Sequence, residues 1–343
     1  MNYQSPDQAP GLRLHFNENT AGCSPAVIAA LHALTREEAS YYPDYAPITA
    51  KCERYFDVAP NWVQVTNGLD EGLHLAAQAA AIAQPGFAAL VIEPAFEMYA
   101  ASVEAVGGRV ITIMPEPDFS FPLDRILAAI APDLRLIYLT DPNNPTGLGI
   151  PPDCVEAIAA AAPQATVLVD EAYAEFSGRT FIGPALDRHR NLVVGRTFAK
   201  AHGLAALRTG ALIAHPDALA PLRRVMPPFS VNIAAVRALE AALDDPAHLE
   251  WYVGESIVSR DRIYDFCRRF GIGCLPSEAN FVLLRIGDQA AALTDALRER
   301  GILVRDKSRA PGCAGCIRIT AGVVAHTERC LEELEDLLAP RPR

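Results

Sequence analysis

Between residues 62 and 194 the chain alternates short apolar strand patterns with helical ones, and this limits the folds open to it more than any other feature. Residues 62–66, 88–93, 110–114, 136–140, 166–170 and 192–194 read as strands. Helices are expected at 70–83 and 152–162, and earlier at 25–34, where Ser24 is placed to cap and Pro25 to occupy the first turn. Apolar strands separated by helices predict an α/β fold with a mostly parallel sheet. Near residue 245 the rhythm changes. A long helix at 249–269 precedes a strand at 280–285, a helix at 288–300, strands at 302–305 and 317–320, and a terminal helix from about 326. This predicts a smaller α+β domain after the larger one, within the reach of 343 residues.

Charge and composition remove several function classes. The chain has 30 Lys+Arg against 41 Asp+Glu, a net charge of −11, so it lacks the basic face that nucleic acid requires. Its most apolar stretch, 73–92, is broken by His74, Gln78, Gln84, Pro85 and Gly86, so no membrane span is expected. The N-terminus has neither the basic nor the apolar region of a signal peptide. Eight cysteines without an export signal read as reduced thiols of a cytoplasmic protein. Cys313, Cys316, His326 and Cys330 have a spacing open to zinc. The alternating strand Ile317–Arg318–Ile319 between them needs no metal to fold, so no metal is expected.

Four polar segments sit at strand ends, where a parallel sheet gathers its ligands along one edge. Thr66–Asn67–Gly68–Leu69–Asp70–Glu71 could offer helix N-terminal amides to a phosphate, and is no dinucleotide or Walker loop. Asp141–Pro142–Asn143–Asn144–Pro145–Thr146–Gly147 is a rigid turn around paired amides. Asp170–Glu171–Ala172–Tyr173 puts a carboxylate at the end of an apolar strand, where it needs a cation or hydrogen bonds. Arg196–Thr197–Phe198–Ala199–Lys200, with Arg208 eight residues on, puts a lysine between apolar segments, where desolvation makes an amine nucleophilic. Each segment alone also fits a plain structural role: N-cap turn, tight loop, helix-capping acid or solvated lysine.

Together they supply what pyridoxal phosphate requires: a lysine for a Schiff base, an acid for the pyridinium proton, an asparagine, a tyrosine, and an arginine with helix amides for the phosphate. Asn144 precedes Asp170 by 26 residues and Asp170 precedes Lys200 by 30. In this motif set the chain resembles fold-type I pyridoxal-phosphate aminotransferases, aspartate aminotransferase-like, and within them the histidinol-phosphate aminotransferase family, over nearly its whole length. The resemblance implies an N-terminal arm (1–40) joining the small domain, a large cofactor-binding domain (41–245) and a small C-terminal domain (246–343).

It also implies site roles. Lys200 would bond the cofactor and move the substrate proton, and Asp170 would pair with the ring nitrogen. Asn144 and Tyr173 would contact the ring oxygen, with Phe96 stacked on the ring. Arg208 and Thr197, with the backbone amides of Leu69 and Asp70, would hold the cofactor phosphate, joined by Tyr42 from the partner subunit of a homodimer. Arg318 and Arg305 would bind the anionic groups of the substrate, and Asn19 would line its mouth. The implied reaction is transamination between histidinol phosphate and 2-oxoglutarate. Other amino-acid donors, aromatic ones among them, or decarboxylation of a phosphorylated amino acid such as threonine phosphate, are alternatives on the same scaffold. Three departures from the family pattern are visible: Ala199 replaces the usual serine, Phe96 the commoner tyrosine, and the segment after Asn17–Glu18–Asn19 lacks the usual proline and aromatic.

Overall fold

The computed structural model describes residues 10–339. Residues 1–9, most of the stretch without a signal-peptide pattern, and residues 340–343 lie outside the described residues. After a short first strand, β1 (Leu12–Arg13), the chain builds a seven-stranded central sheet from β2 (Val63–Asn67), β3 (Ala88–Ile92), β4 (Arg109–Ile113), β5 (Leu134–Thr140), β6 (Thr166–Asp170), β7 (Leu192–Thr197) and β8 (Thr209–Ala214). The strand order is β2-β8-β7-β6-β5-β3-β4. Only β8 runs against its neighbours, β7 and β2. The carboxyl ends of the other six therefore share one edge with the beginning of β8. Thr140, Asp170, Thr197, Asn67 and the residue before β8, Arg208, all arrive there.

Burial on both faces explains the apolar runs. Every residue of β7 and β8 is buried. Alternate residues feed opposite layers: Val167 and Val169 join one core cluster and Leu168 the other. The helix Gly68–Ala83 covers the second layer, with Asp70 and Glu71 in its first turn, where the helix dipole favours acids. Its N-terminus lies directly on the sheet. A Cβ on Gly210 of β8 would come within 2.6 Å of Gly68 C and Leu69 N.

The C-terminal part is an antiparallel four-stranded sheet, with β9 (Gly273–Cys274), β10 (Phe281–Arg285), β12 (Arg305–Asp306) and β13 (Cys316–Thr320) in the order β12-β13-β10-β9. The helices Pro246–Phe270, Ala290–Glu299 and Val324–Leu338 share its core with Val282, Leu284, Ile317 and Ile319. Leu14 lies in the same core, and β1 pairs in parallel with β11 (Ile302–Leu303). The helix Pro25–His32, capped by Ser24, instead packs on Ile233–Leu243.

Two expectations differ in detail. The strand expected at 302–305 breaks at Val304: β11 pairs with β1, whereas β12 pairs with β13. No strand is expected at 209–214, yet β8 forms there, and the strand pattern at 192–194 extends to Thr197 to pair with it. The cysteines of the zinc-like spacing lie in separate apolar clusters, Cys313 and Cys316 against Leu283, and Cys330 among Ile263, Leu297 and Leu334. Burial raises the Cys313 thiol to about 11 and Cys330 to about 12, away from the thiolate a metal needs. Among the described residues no helix is long and apolar enough to cross a membrane.

Candidate active site

The shared strand edge opens into a cavity of about 670 Å³. The N-terminal segment around His15–Glu18 and the small sheet close its other side. Leu69, Asp70, Phe96, Asn144, Asp170, Tyr173, Thr197, Lys200, Arg208, Arg305 and Arg318 all line it. Seven segments far apart in sequence converge there because strand order and the reversal of β8 bring their ends together.

Lys200 follows β7, and its Nζ donates to the Phe16 carbonyl at 2.9 Å. Burial, reinforced by the positive field of Arg318, lowers its amine from 10.5 to about 8. Asp170 ends β6 and is only 5% exposed. Its Oδ1 accepts from the Ala172 amide at 2.9 Å and its Oδ2 from the Tyr99 hydroxyl at 2.7 Å. Burial still pushes its pKa up to about 6, against the pull of those bonds. Tyr173 stands with its ring edge-on to Phe281, and its hydroxyl accepts from Asn17 Nδ2 at 3.0 Å.

The phosphate end of the cavity is built from close approach. Gly68 has φ +73°, and a Cβ there would meet Arg208 Nη2 at 2.5 Å, so the missing side chain is what admits the guanidinium to the helix N-terminus. Arg208 itself holds a left-handed φ of 56°. It donates to the Ala205 carbonyl at 3.0 Å and to Asp70 Oδ2 at 2.8 Å. Thr197 Oγ1 accepts from the Ala199 amide at 3.2 Å.

On the small-sheet side, Arg318 is 5% exposed and lies over the Phe281 ring, 5.2 Å from its centroid. It donates to Asn144 Oδ1 and the His15 carbonyl. Its Nε is buried without a partner. Burial draws its pKa down to about 10. Arg305 and Lys307 project from alternate positions along the same chain segment into the same cavity. Burial and the two arginines lower the Lys307 amine to about 8. Among the described residues none of these three cations has a carboxylate within ion-pair distance. Arg13 does, bridging to Glu18 at 2.7 Å.

Two expected site residues lie elsewhere. Asn19 is off the cavity wall: its Nδ2 donates to the Ala201 carbonyl and its Oδ1 accepts from the Ala21 amide, both at 2.9 Å. Both ends of its amide hold backbone. Asn17, two residues earlier, lines the cavity instead. Tyr42 is 78% exposed and stacks on Phe229 at 4.1 Å on the outside of this chain. Sequence reasoning passed over Tyr99, Asn17 and Lys307. Lys307 had a signal in its two-residue spacing from Arg305, and Tyr99 in its place one helical turn after Phe96.

The family model of class I and II aminotransferases matches residues 9–336. The chain belongs to that family. This class I and II aminotransferase is 37% identical over 341 residues to histidinol-phosphate aminotransferase 2 of Ralstonia nicotianae, covering 96% of this chain and 89% of that protein. Among solved structures, histidinol-phosphate aminotransferase from Sinorhizobium meliloti in complex with pyridoxal-5'-phosphate has a TM-score of 0.84 at 26% identity, covering 96% of this chain and 92% of that one. Aspartate aminotransferase from Thermus thermophilus, at 21% identity and a TM-score of 0.80 over 96% and 92% of the two chains, shares the fold. The aminotransferase is thus a fold-type I, pyridoxal-phosphate-dependent enzyme acting on an amino donor and a 2-oxo acid. The residues present fit that cofactor. Asp170 is a buried carboxylate in want of a cation, Lys200 a desolvated amine, and Gly68 with Arg208 a cradle a side chain would fill.

Proposed function

We propose that this aminotransferase transfers the amino group of histidinol phosphate to 2-oxoglutarate, working as a cytoplasmic homodimer. The observation that carries the substrate choice is the trio Arg305, Lys307 and Arg318, which faces the cavity without an ion-paired carboxylate among the described residues, in a chain of net charge −11. Three cations gathered on one wall without an ion pair among the described residues call for a strongly anionic substrate, and a phosphate dianion meets that need better than a single carboxylate. The name of the Ralstonia relative supports the same reading.

Each residue then has a role. Lys200 Nζ would hold the cofactor and, as a free amine once the substrate amine has taken its place, would take the proton from the substrate α-carbon and return it during transfer. Its lowered pKa makes an appreciable fraction neutral near pH 8, as a base requires. Asp170 binds the ring nitrogen and keeps its proton in place. Asn144 and Tyr173 hold the ring oxygen, Phe96 packs on the ring, and Arg208, Thr197 and the Leu69 and Asp70 amides bind the phosphate. When bound, pyridoxal phosphate supplies an electron sink for negative charge at the substrate α-carbon. Arg318 orients the carboxylate of the oxo-acid, and Arg305 the phosphate of the donor. The exposed Tyr42 serves the partner subunit's cavity. The eight free cysteines suit a reducing compartment.

Kinetics of Arg305→Ala test the substrate. KM for histidinol phosphate is expected to rise at least tenfold, with KM for a neutral aromatic donor nearly unchanged, as befits loss of a desolvated charged contact. Small and equal effects on both donors would remove Arg305 from phosphate binding. Turnover of aromatic amino acids with none of histidinol phosphate would overturn the substrate assignment.

A further inference from the structure

Asp170 is held from behind by a chain of two hydroxyls. Tyr99, 1% exposed, places its hydroxyl 2.7 Å from Asp170 Oδ2 and 2.9 Å from Thr140 Oγ1. The tyrosine cannot swing away. Its ring stacks on Tyr138, with centroids 4.9 Å apart, and meets Phe96 edge-on at 5.8 Å. Tyr138 is anchored in turn by its own hydroxyl, which donates to the Leu73 carbonyl at 2.7 Å.

Counting protons gives the chain a direction. Each hydroxyl has one proton to donate. If Asp170 is ionised, Thr140 donates to Tyr99 and Tyr99 donates to Oδ2, while the Ala172 amide donates to Oδ1. Every proton then has an acceptor. If Asp170 instead carried its proton on Oδ2, that proton would point at Tyr99, Tyr99 would donate to Thr140, and the Thr140 proton would have no protein acceptor among the described hydrogen bonds. The Ala172 amide can only donate, so it too favours the anion. The arrangement opposes burial, which on its own favours a neutral acid.

We propose that Tyr99 is a positioning residue for Asp170: with Thr140 it forms a directed hydrogen-bond chain that keeps Asp170 an ionised acceptor facing the cavity, and so fixes the protonation of a ring nitrogen bound there. This rests on the reading that Asp170 holds the cofactor's ring nitrogen. Tyr99 acts through Asp170 and touches no reacting atom.

The test uses the holoenzyme loaded with pyridoxal phosphate labelled with 15N in the ring. The nitrogen's NMR signal reports its protonation whether or not the enzyme turns over. In Tyr99→Phe the signal is expected to move towards the neutral position at pH 7.5. The cofactor should bind about tenfold more weakly, the scale of one lost hydrogen bond to a charged group. In Thr140→Val it should move the same way by less. A Tyr99→Phe enzyme with the wild-type nitrogen signal and cofactor affinity would overturn the proposal. Should Tyr99→Phe fail to fold, Thr140→Val decides alone, and an unchanged signal there overturns the directed chain. Asp170→Asn separates the two readings. If it leaves the nitrogen protonated, the assignment of Asp170 falls. If it deprotonates the nitrogen while Tyr99→Phe and Thr140→Val do not, only the hydroxyl chain falls.

Discussion

Lys200 and Lys307 face the same cavity, and burial lowers both amines to about 8. Their neighbours separate them. Lys200 shares the strand edge with Asp170 and donates to the Phe16 carbonyl, whereas Lys307 stands beside Arg305 and Arg318, with no ion-pair partner among the described residues. The lowered amine of Lys200 has a consequence for stability. Below about pH 8 folded and unfolded chains both hold the proton, and the folded chain holds it in a poorly solvated place. Between about 8 and 10.5 the unfolded chain binds more protons, so this group's contribution to stability rises with pH across that window. Lys200→Met should therefore stabilise the cofactor-free enzyme at pH 7, by about 2 kcal/mol, and by much less at pH 10. Thermal melts at the two pH values check this, and a variant less stable than wild type at pH 7 contradicts it. Lys200 and Asp170 stand out in the sequence because Asp170 ends an apolar strand and Lys200 follows one by three residues, where a charge is conspicuous. Asn19 was expected at the substrate mouth. An amide in a polar segment looks available, and only the folded chain shows the Ala201 carbonyl and Ala21 amide that occupy it.

At the scale of elements, continuous apolar runs made the parallel strands readable, since β5, β6 and β7 are buried on both faces. Strand β8 was hidden because it opens with Thr209–Gly210, a weak strand start. Gly210 is there for a reason outside its own strand: the backbone of Gly68 and Leu69 at the start of the next layer's helix leaves no room for a Cβ. That contact sets the helix N-terminus and Arg208 side by side, so the cofactor's phosphate cradle depends on a packing constraint between segments more than a hundred residues apart. The break at Val304 has a similar origin. The strand changes partner from β1 to β13, and a local pattern cannot announce a change of partner. The helix Gly68–Ala83 was readable from its alanine-rich apolar face, and only its first two residues were missed.

For the whole molecule, the proposed homodimer predicts that one subunit can complete the other's site. Tyr42 is 78% exposed and flanked by Tyr41 at 70% and Phe229 at 50%, an aromatic patch on the outside of one chain. If Tyr42 reaches the partner's cavity, Lys200→Ala and Tyr42→Ala proteins, each impaired alone, should regain activity when unfolded and refolded together. A mixed dimer holds one site with both residues intact, so about a quarter of all sites recover. Recovery no greater than the sum of the separate variants would place Tyr42 outside the site. Which amine holds the cofactor decides the assignment of the site, and the sequence makes that question sharp. The chain has only three lysines, Lys51, Lys200 and Lys307. Lys51 is bonded to Asp244 and the Glu240 carbonyl away from the cavity. Borohydride reduction of the holoenzyme followed by peptide mass spectrometry reads the answer directly. The pyridoxyl group is expected on Lys200 alone, and its appearance on Lys307 or Lys51 in place of Lys200 would contradict the account.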